Sequence, residues 1–250
     1  MTKKLLEISN LSVGYGEIQV LYDLSIHLDK GERIGLFGPN GHGKTTLLRS
    51  ISGLLTPWQG NIMLDGKSLV GRSPQAIVEQ GVIHVAQGSK LFPRMTVLEN
   101  LTLGGYSKRA RGNKQQNLEK VFDLFPRLAE RQRQLCQTLS GGERQMVAIG
   151  IGLMGNADLL MLDEPTLGLA PVIREELGAA IGKVAEEGTP LLIVEQDVDF
   201  LLALTDRLYL IENGQVALEH DRNDPKLEHN QIMEMYFGNH QTTATPEVQA

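Results

Sequence analysis

Gly38-Pro39-Asn40-Gly41-His42-Gly43-Lys44-Thr45 is the stretch of sequence that decides the fold. It follows the apolar run Arg33-Ile34-Gly35-Leu36-Phe37, and a helical pattern continues from it until Gly53. The pattern G-x-x-x-x-G-K-[ST] between a strand and a helix is that of a phosphate-binding P-loop. At average residue frequencies such a string arises by chance in about one chain in a hundred of this size. The placement at a strand-to-helix junction therefore predicts a nucleotide-binding α/β protein.

Each residue type in the loop suits a triphosphate. Glycines let consecutive backbone N–H groups curl around an anion, and the following helix adds the positive end of its dipole. Lys44 is expected to reach the β- and γ-phosphates, and the hydroxyl of Thr45 is expected to bind Mg²⁺. His42 occupies a variable position, where solvent or a neighbouring loop is its expected contact. We predict that ATP contacts the loop and the start of the helix, at Gly38, Pro39, Asn40, Gly41, His42, Gly43, Lys44, Thr45 and Thr46.

A second chemical signal is the acidic end of an apolar run, Leu159-Leu160-Met161-Leu162-Asp163-Glu164-Pro165. Ligands of wound sheets bind beyond the carboxyl ends of the strands, so both carboxylates are expected beside the P-loop. Neighbouring strand residues face opposite ways, which predicts Asp163 as a metal ligand and Glu164 as the general base for the attacking water. A lone acidic pair often marks only a solvated strand end, but a P-loop in the same chain favours the catalytic interpretation.

Composition limits the other classes of function. The chain has 250 residues, 41% of them hydrophobic and 22% charged, with a formal net charge of −6. A chain with a net negative charge gains little from the release of counterions by a phosphate backbone, so nucleic acid is not an expected partner. The one cysteine, Cys136, excludes an internal disulfide. No apolar run approaches the roughly 20 residues of a membrane-spanning helix, and the start of the chain has no signal-peptide core, so a membrane role requires partners.

The order of predicted strands and helices along the chain predicts the domain organisation. Strand signals disappear between residues 88 and 138, where helical stretches replace them, and alternating strands and helices return after residue 139. We predict one nucleotide-binding domain over residues 1–237, with a helical subdomain inserted at about 88–156. Residues 238–250 are polar and are expected to form a disordered tail.

The string Leu139-Ser140-Gly141-Gly142-Glu143-Arg144-Gln145 opens a predicted helix, with Ser140 and Glu143 spaced as a capping box. Taken with the P-loop before it and Leu162-Asp163-Glu164-Pro165 after it, this string resembles the signature motif of the ABC ATPase family. The resemblance spans about residues 5–220. It implies a P-loop NTPase wound sheet with an antiparallel β subdomain and an inserted helical subdomain.

The resemblance also implies further site residues. Two ATPase domains of this family enclose two ATP molecules, and each signature motif acts on the ATP of the opposite chain; here Ser140, Gly141, Gly142 and Gln145 match it. Tyr15 matches the aromatic residue that stacks on adenine, with a buried tyrosine at the sheet edge as the alternative. Gln87 matches the loop glutamine that contacts Mg²⁺ or the attacking water.

The chain departs from the family pattern at two positions. Gln196 stands where a histidine usually contacts the γ-phosphate; an amide forms that hydrogen bond but cannot become cationic. Ala170 stands where many members carry an aspartate that couples the two halves of the dimer.

Three strings resemble the branched-chain amino-acid uptake subfamily, whose relatives handle urea and amides: Phe92-Pro93-Arg94-Met95-Thr96-Val97, Leu167-Gly168-Leu169-Ala170-Pro171 and Val194-Glu195-Gln196. Gln87 departs from the glutamate of its closest members. This resemblance implies two transmembrane permeases, a second ATPase subunit in a heterodimer or homodimer, and an external solute-binding protein. It places the chain at the cytoplasmic face of the cell membrane. The alternatives are a soluble ABC-type ATPase outside transport and a nucleotide-binding scaffold that does not hydrolyse ATP.

Overall fold

A computed structural model of the protein describes residues 3–222. The domain boundary predicted at residue 237 and the tail 238–250 lie outside the described residues. The strands are β1 Lys4–Tyr15, β2 Ile18–Asp29, β3 Arg33–Phe37, β4 Gln59–Leu64, β5 Lys67–Ser68, β6 Val82–Val85, β7 Leu159–Asp163, β8 Leu191–Val194, β9 Arg207–Glu212 and β10 Gln215–Asp221. The helices are α1 Lys44–Ile51, α2 Pro74–Glu79, α3 Val97–Gly104, α4 Lys108–Arg111, α5 Lys114–Leu124, α6 Pro126–Glu130, α7 Gly141–Met154, α8 Pro171–Glu186 and α9 Val198–Leu204.

The larger sheet has the strand order β10-β9-β3-β8-β7-β6. All its neighbouring pairs are parallel except β10 with β9, which are antiparallel. Every residue of β7 and β8 is buried, as expected of parallel strands covered on both faces. Since β3, β8, β7 and β6 are neighbours, the loops at their carboxyl ends meet along one edge of the sheet.

The two faces of this sheet pack against different layers. Residues on alternate positions of the strands, such as Leu159 and Met161, pack with α1 and with the smaller antiparallel sheet, whose strand order is β2-β1-β4-β5. The positions between them, such as Leu160 and Leu162, pack with α7, α8 and the helices that precede α7. The predicted wound sheet with an antiparallel β subdomain is confirmed.

Helices α3 to α7 and a 3-10 turn at Cys136–Thr138 fill the segment between β6 and β7. The predicted capping box of Ser140 and Glu143 forms at the start of α7, and Thr96 and Glu99 form another at the start of α3. Helix α3 packs closely on α7, since a Cβ at Gly104 would lie 2.1 Å from the Ile151 carbonyl oxygen. The longest helix in residues 3–222 is α8 with 16 residues, and none there is both long and apolar enough to cross a membrane.

Gly104→Ala is expected to destabilise the helical segment, because the added methyl group would clash with a backbone carbonyl. A backbone carbonyl cannot move aside as a flexible side chain can. Overpacking of this kind costs about 1–3 kcal/mol. Urea denaturation measures the loss of unfolding free energy. Gly112→Ala is the matched control in the same segment: its backbone is helical, and no atom lies within 4 Å of the added Cβ. Equal stability of the two variants would contradict the prediction.

Candidate nucleotide-binding site

The P-loop runs from the end of β3 to the start of α1, where the sequence predicts it. Gly38, Gly41 and Gly43 have φ values of 140°, 81° and 108°, which disfavour residues with a side chain. A Cβ at Gly38 would lie 2.1 Å from the Ile211 carbonyl oxygen, so the loop and β9 approach each other directly. The loop therefore places its backbone N–H groups and the N-terminus of α1 at one point, which favours an anion.

Lys44, the first residue of α1, is 5% exposed. Its Nζ donates to the carbonyl oxygens of Gly38 and Pro39, at 2.7 and 2.8 Å. Burial lowers the pKa of Lys44, although the nearby carboxylates of Glu164 and Asp163 oppose that shift. The fold thus holds a poorly solvated ammonium group beside a ring of amides, an arrangement that a phosphate would stabilise.

Asp163 ends β7 and is 2% exposed. Thr45 Oγ1 donates to its Oδ1 at 3.2 Å. Burial raises the pKa of Asp163, and the hydrogen bond from Thr45 counteracts this. A buried carboxylate next to a hydroxyl supplies hard oxygen ligands, so the pair fits Mg²⁺ bound beside a phosphate.

Glu164 lies one residue beyond β7 and has a φ of 47°, in the left-handed region. Its carboxylate accepts two hydrogen bonds: from Gln87 Nε2 at 2.6 Å and from Gln196 Nε2 at 3.1 Å. The prediction placed Glu164 by the alternation of strand side chains, but the strand has already ended. A left-handed residue after the strand, and not strand alternation, therefore carries the Glu164 side chain to partners different from those of Asp163.

The loops enclose a cavity of about 350 Å³. It is lined by Asn40, Gly41, Gly43, Lys44, Thr45, Thr46, Gln87, Glu164, Leu167 and Gln196. A larger cavity of about 600 Å³ lies near residues that precede β3, β7 and β8, at the opposite ends of the strands. Its lining residue Asp65 is already paired with Lys3 and Lys30. The smaller cavity joins the P-loop to Glu164.

Tyr15 and His42 are among the predicted residues that do not line this cavity. Tyr15, at the end of β1, is 41% exposed and receives a hydrogen bond from Arg49 Nη1 at 3.1 Å. The alternative of a buried tyrosine at the sheet edge is therefore not what the structure shows. His42 Nδ1 accepts from the backbone N–H of Asn213 at 3.0 Å, so its ring contacts a neighbouring loop.

The signature residues divide into exposed and buried ones. Ser140 and Gly141 are exposed at the N-terminus of α7, and Gly142 is buried. Gln145 is only 6% exposed, and its Oε1 accepts from Ser89 Oγ of the same chain. Within its own subunit Gln145 therefore faces inward from α7, and its contact with the nucleotide of an opposite chain stays a prediction.

Sequence reasoning missed Glu195, which is 3% exposed. One of its carboxylate oxygens accepts from both the backbone N–H and the hydroxyl of Thr166, each at 2.7 Å. Burial raises the pKa of Glu195, and these hydrogen bonds oppose the shift. Glu195 therefore anchors the loop after Glu164 to the loop that carries Gln196. Its position in the string Val194-Glu195-Gln196 was the only signal in the sequence.

His84 on β6 gives the protein an expected pH dependence. Its Nδ1 lies 2.9 Å from Ser52 Oγ, at the end of α1. Burial, with a smaller contribution from the charge of Arg49, lowers the pKa of His84 from 6.5 to about 4. As the pH falls through this window the unfolded chain takes up a proton that the folded chain does not, so stability is lost.

His84→Asn is expected to reduce that loss, because asparagine keeps a donor for Ser52 and does not titrate. The unfolding free energy lost between pH 8 and pH 5 should shrink by about 1–2 kcal/mol relative to the unsubstituted protein. Urea denaturation at the two pH values measures it. The same loss in both proteins would show that burial of His84 is not its cause.

Comparisons with known proteins agree with this geometry. The ABC transporter family model matches residues 21–167. The chain is 40% identical to the high-affinity branched-chain amino acid transport ATP-binding protein BraG of Pseudomonas aeruginosa, over 94% of this chain and all of that protein. It is 34% identical to the probable branched-chain amino acid transport ATP-binding protein LivF of Archaeoglobus fulgidus, over 94% of this chain and 99% of that protein. The crystal structure of an ABC transporter cassette in its ADP conformation matches with a TM-score of 0.78 and 29% identity, covering 95% and 100% of the two chains.

A P-loop, a signature helix and an acidic strand end on this fold define a nucleotide-binding ATPase, and the chain belongs to the ABC transporter family. Within that family it is an ATP-hydrolysing subunit, as the sequence predicts.

Proposed function

We propose that this subunit energises the uptake of branched-chain amino acids, or of a related small amino acid or amide, across the cytoplasmic membrane. The observation that carries the proposal is the 40% identity with BraG along 94% of the chain. The name of LivF, which is 34% identical, points to the same class of solute. Amides are included among the solutes tested because relatives of the branched-chain amino-acid uptake subfamily handle urea and amides.

The residues of the cavity support a mechanism of hydrolysis. The P-loop amides and Lys44 bind the β- and γ-phosphates, and Glu164 accepts a proton from the attacking water. Gln87 and Gln196 keep the Glu164 carboxylate in one orientation, since each donates to a different oxygen. Thr45 and Asp163, with Gln87 nearby, would hold Mg²⁺, which neutralises charge on the phosphate oxygens.

A second ATPase subunit would complete the site. Ser140 is exposed at the N-terminus of α7, yet it is absent from the described residues that line the cavity of its own chain. An exposed helix N-terminus that begins with a serine suits the γ-phosphate of ATP bound to a facing subunit. We propose a heterodimer with a related ATPase, in which Ser140, Gly141 and Gly142 contribute to the partner's nucleotide.

The permeases would dock in a groove between β6 and the helical segment. This groove has a volume of about 280 Å³ and is lined mainly by apolar residues and glycine, among them Ile83, Val85, Ala148 and Ile151. It runs along β6, whose last residue lies two residues before Gln87. A permease segment bound there would lie next to the loop that carries Gln87, whose side chain donates to Glu164. Such a segment would also hold this subunit at the cytoplasmic face of the membrane.

Co-expression with two permeases and a second ATPase tests the proposed function. The assembly, reconstituted in vesicles with the solute-binding protein outside and ATP supplied to the ATPases, should take up labelled leucine or a labelled amide. Assemblies that carry Glu164→Gln should take up neither. An isolated subunit whose phosphate release ignores the permeases would instead favour a soluble ABC-type ATPase, and absence of phosphate release in every state would favour a non-hydrolysing scaffold.

Ile151→Asp tests the docking groove separately. It should abolish co-purification with the permeases, because a carboxylate replaces an apolar wall, while phosphate release by the free subunit persists. Val70→Asp is the matched control: Val70 is 36% exposed and does not line the groove. Retention of the permeases by the Ile151 variant would move the docking site elsewhere.

A further inference from the structure

The hairpin that joins β1 to β2 presents two large side chains beside the P-loop helix. Tyr15 and Ile18 are paired across the hairpin, so their side chains lie on the same face. They are 41% and 73% exposed. A Cβ at Gly14 would lie 2.0 Å from the Ile18 carbonyl oxygen, so glycine permits the close approach of the two strands.

Although the Tyr15 ring is exposed, its hydroxyl is fixed. Arg49 Nη1 donates to Tyr15 Oη at 3.1 Å, and Thr46 Oγ1 lies 3.4 Å from the same oxygen. Thr46 and Arg49 are three residues apart on α1 and therefore lie on one face of that helix. Helix α1 begins at Lys44, so these contacts tie the ring to the element that carries the phosphate site.

We propose that Arg49 is a positioning residue for the base of the nucleotide, acting through Tyr15. This inference rests on the proposed binding of ATP at the P-loop, with Tyr15 under the base. Stacking on an aromatic ring contributes about 1–3 kcal/mol per base, provided that the ring stands in the correct plane. The bonds from α1 set that plane before the nucleotide arrives, and Ile18 extends the apolar surface on which the base rests.

A second role of Arg49 has to be separated from this one. Burial raises the pKa of Asp163 and the positive charge of Arg49 opposes that rise, so Arg49 also acts on the predicted metal ligand. The same charge adds to the lowering of the His84 pKa by burial. Arg49→Met removes both the hydrogen bond and the charge. Tyr15→Phe removes the hydrogen bond and leaves every charge and the aromatic ring in place, and it is therefore the decisive variant.

Calorimetric titration of the full chain, in the presence of Mg²⁺, with ATP and with inorganic triphosphate tests the proposal. Triphosphate carries the phosphates without a base, so it reports on the P-loop alone. We expect Tyr15→Phe and Arg49→Met each to raise the dissociation constant of ATP about fivefold, the effect of one hydrogen bond. Binding of triphosphate should be unchanged in Tyr15→Phe. The effect of the double variant should be smaller than the sum of the two single effects, because both substitutions break the bond between Arg49 and Tyr15.

Arg111→Met is the matched control, since Arg111 lies 5.7 Å from the Tyr106 ring in the helical segment and should not affect either ligand. Unchanged ATP binding in Tyr15→Phe, or additive effects in the double variant, would overturn the proposal. Equal weakening of ATP and triphosphate in Tyr15→Phe would do the same and would indicate a general structural role. Failure of the unsubstituted protein to bind either ligand would instead reject the proposed binding of ATP on which this inference rests.

Discussion

Replacing Glu164 by glutamine is expected to lower steady-state ATP hydrolysis by about 100- to 10,000-fold, the usual contribution of a general base. Glutamine has the same shape and should adopt the same left-handed backbone conformation, but its amide cannot accept a proton from water. It also cannot accept hydrogen bonds from both Gln87 and Gln196, because one of its two terminal atoms is now a donor. The water would therefore lose both its base and the group that orients it.

Binding of ATP should survive this substitution, because Glu164 makes no hydrogen bond to the P-loop and its removal takes a negative charge away from the phosphates. Phosphate release and equilibrium nucleotide binding measure the two effects separately. Glu119→Gln, on the exposed surface of α5, is the matched control. Hydrolysis at the unsubstituted rate would remove the base assignment, and simultaneous loss of ATP binding would point to a damaged fold.

The fold and the phosphate site were predictable because their determinants are local in sequence. The P-loop glycines, Lys44 and Thr45 fall within eight consecutive positions, and the adjoining strand and helix can be recognised from their apolar patterns. Asp163 follows from the same logic, since it closes an apolar run of strand length. Even here the direction of Glu164 follows from a left-handed turn, which alternation along a strand does not predict.

Residues that act through long-range contacts were harder to place. The two amides that bind Glu164 come from positions 77 and 32 residues away. They meet because β6, β7 and β8 are neighbours in the sheet, and the order of strands is not written in any local pattern. Gln87 and Gln196 were identified by family resemblance, but their joint hold on one carboxylate appears only in the structure.

Burial explains the remaining differences. Gln145 belongs to the signature string by position, yet its side chain is buried and accepts a hydrogen bond from Ser89. Glu195 has the same charge as the exposed acidic residues of the chain, and only the fold reveals that it is buried and bound to Thr166. A motif specifies which residues occur, whereas the direction of each side chain depends on the turn of the helix or loop that carries it.

Lys44→Met is expected to weaken ATP binding on the order of 100-fold, because each hydrogen bond from an ammonium group to a charged partner contributes about 1.5–3 kcal/mol. The nucleotide-free protein should not lose stability, since methionine fills the same space without a buried charge. Calorimetric titration gives the dissociation constant, and Lys183→Met, on α8, controls for the loss of a lysine away from the site. Unchanged ATP affinity would show that Lys44 remains bound to the loop carbonyls instead of turning to the phosphates.

The lowered pKa of Lys44 allows a second test with the same variant, based on how the free energy of unfolding depends on pH. In the folded chain this pKa lies below its usual value of 10.5, so between the two values the unfolded chain binds more protons. The free energy of unfolding therefore rises, through Lys44, as the pH increases toward 10.5. In Lys44→Met this rise should be absent. Because nucleotide brings negative charge to the ammonium group, saturating ATP should also abolish the rise in the unsubstituted protein. Persistence of the rise in Lys44→Met would assign it to another group, and the buried ammonium would then not be the group that phosphate stabilises.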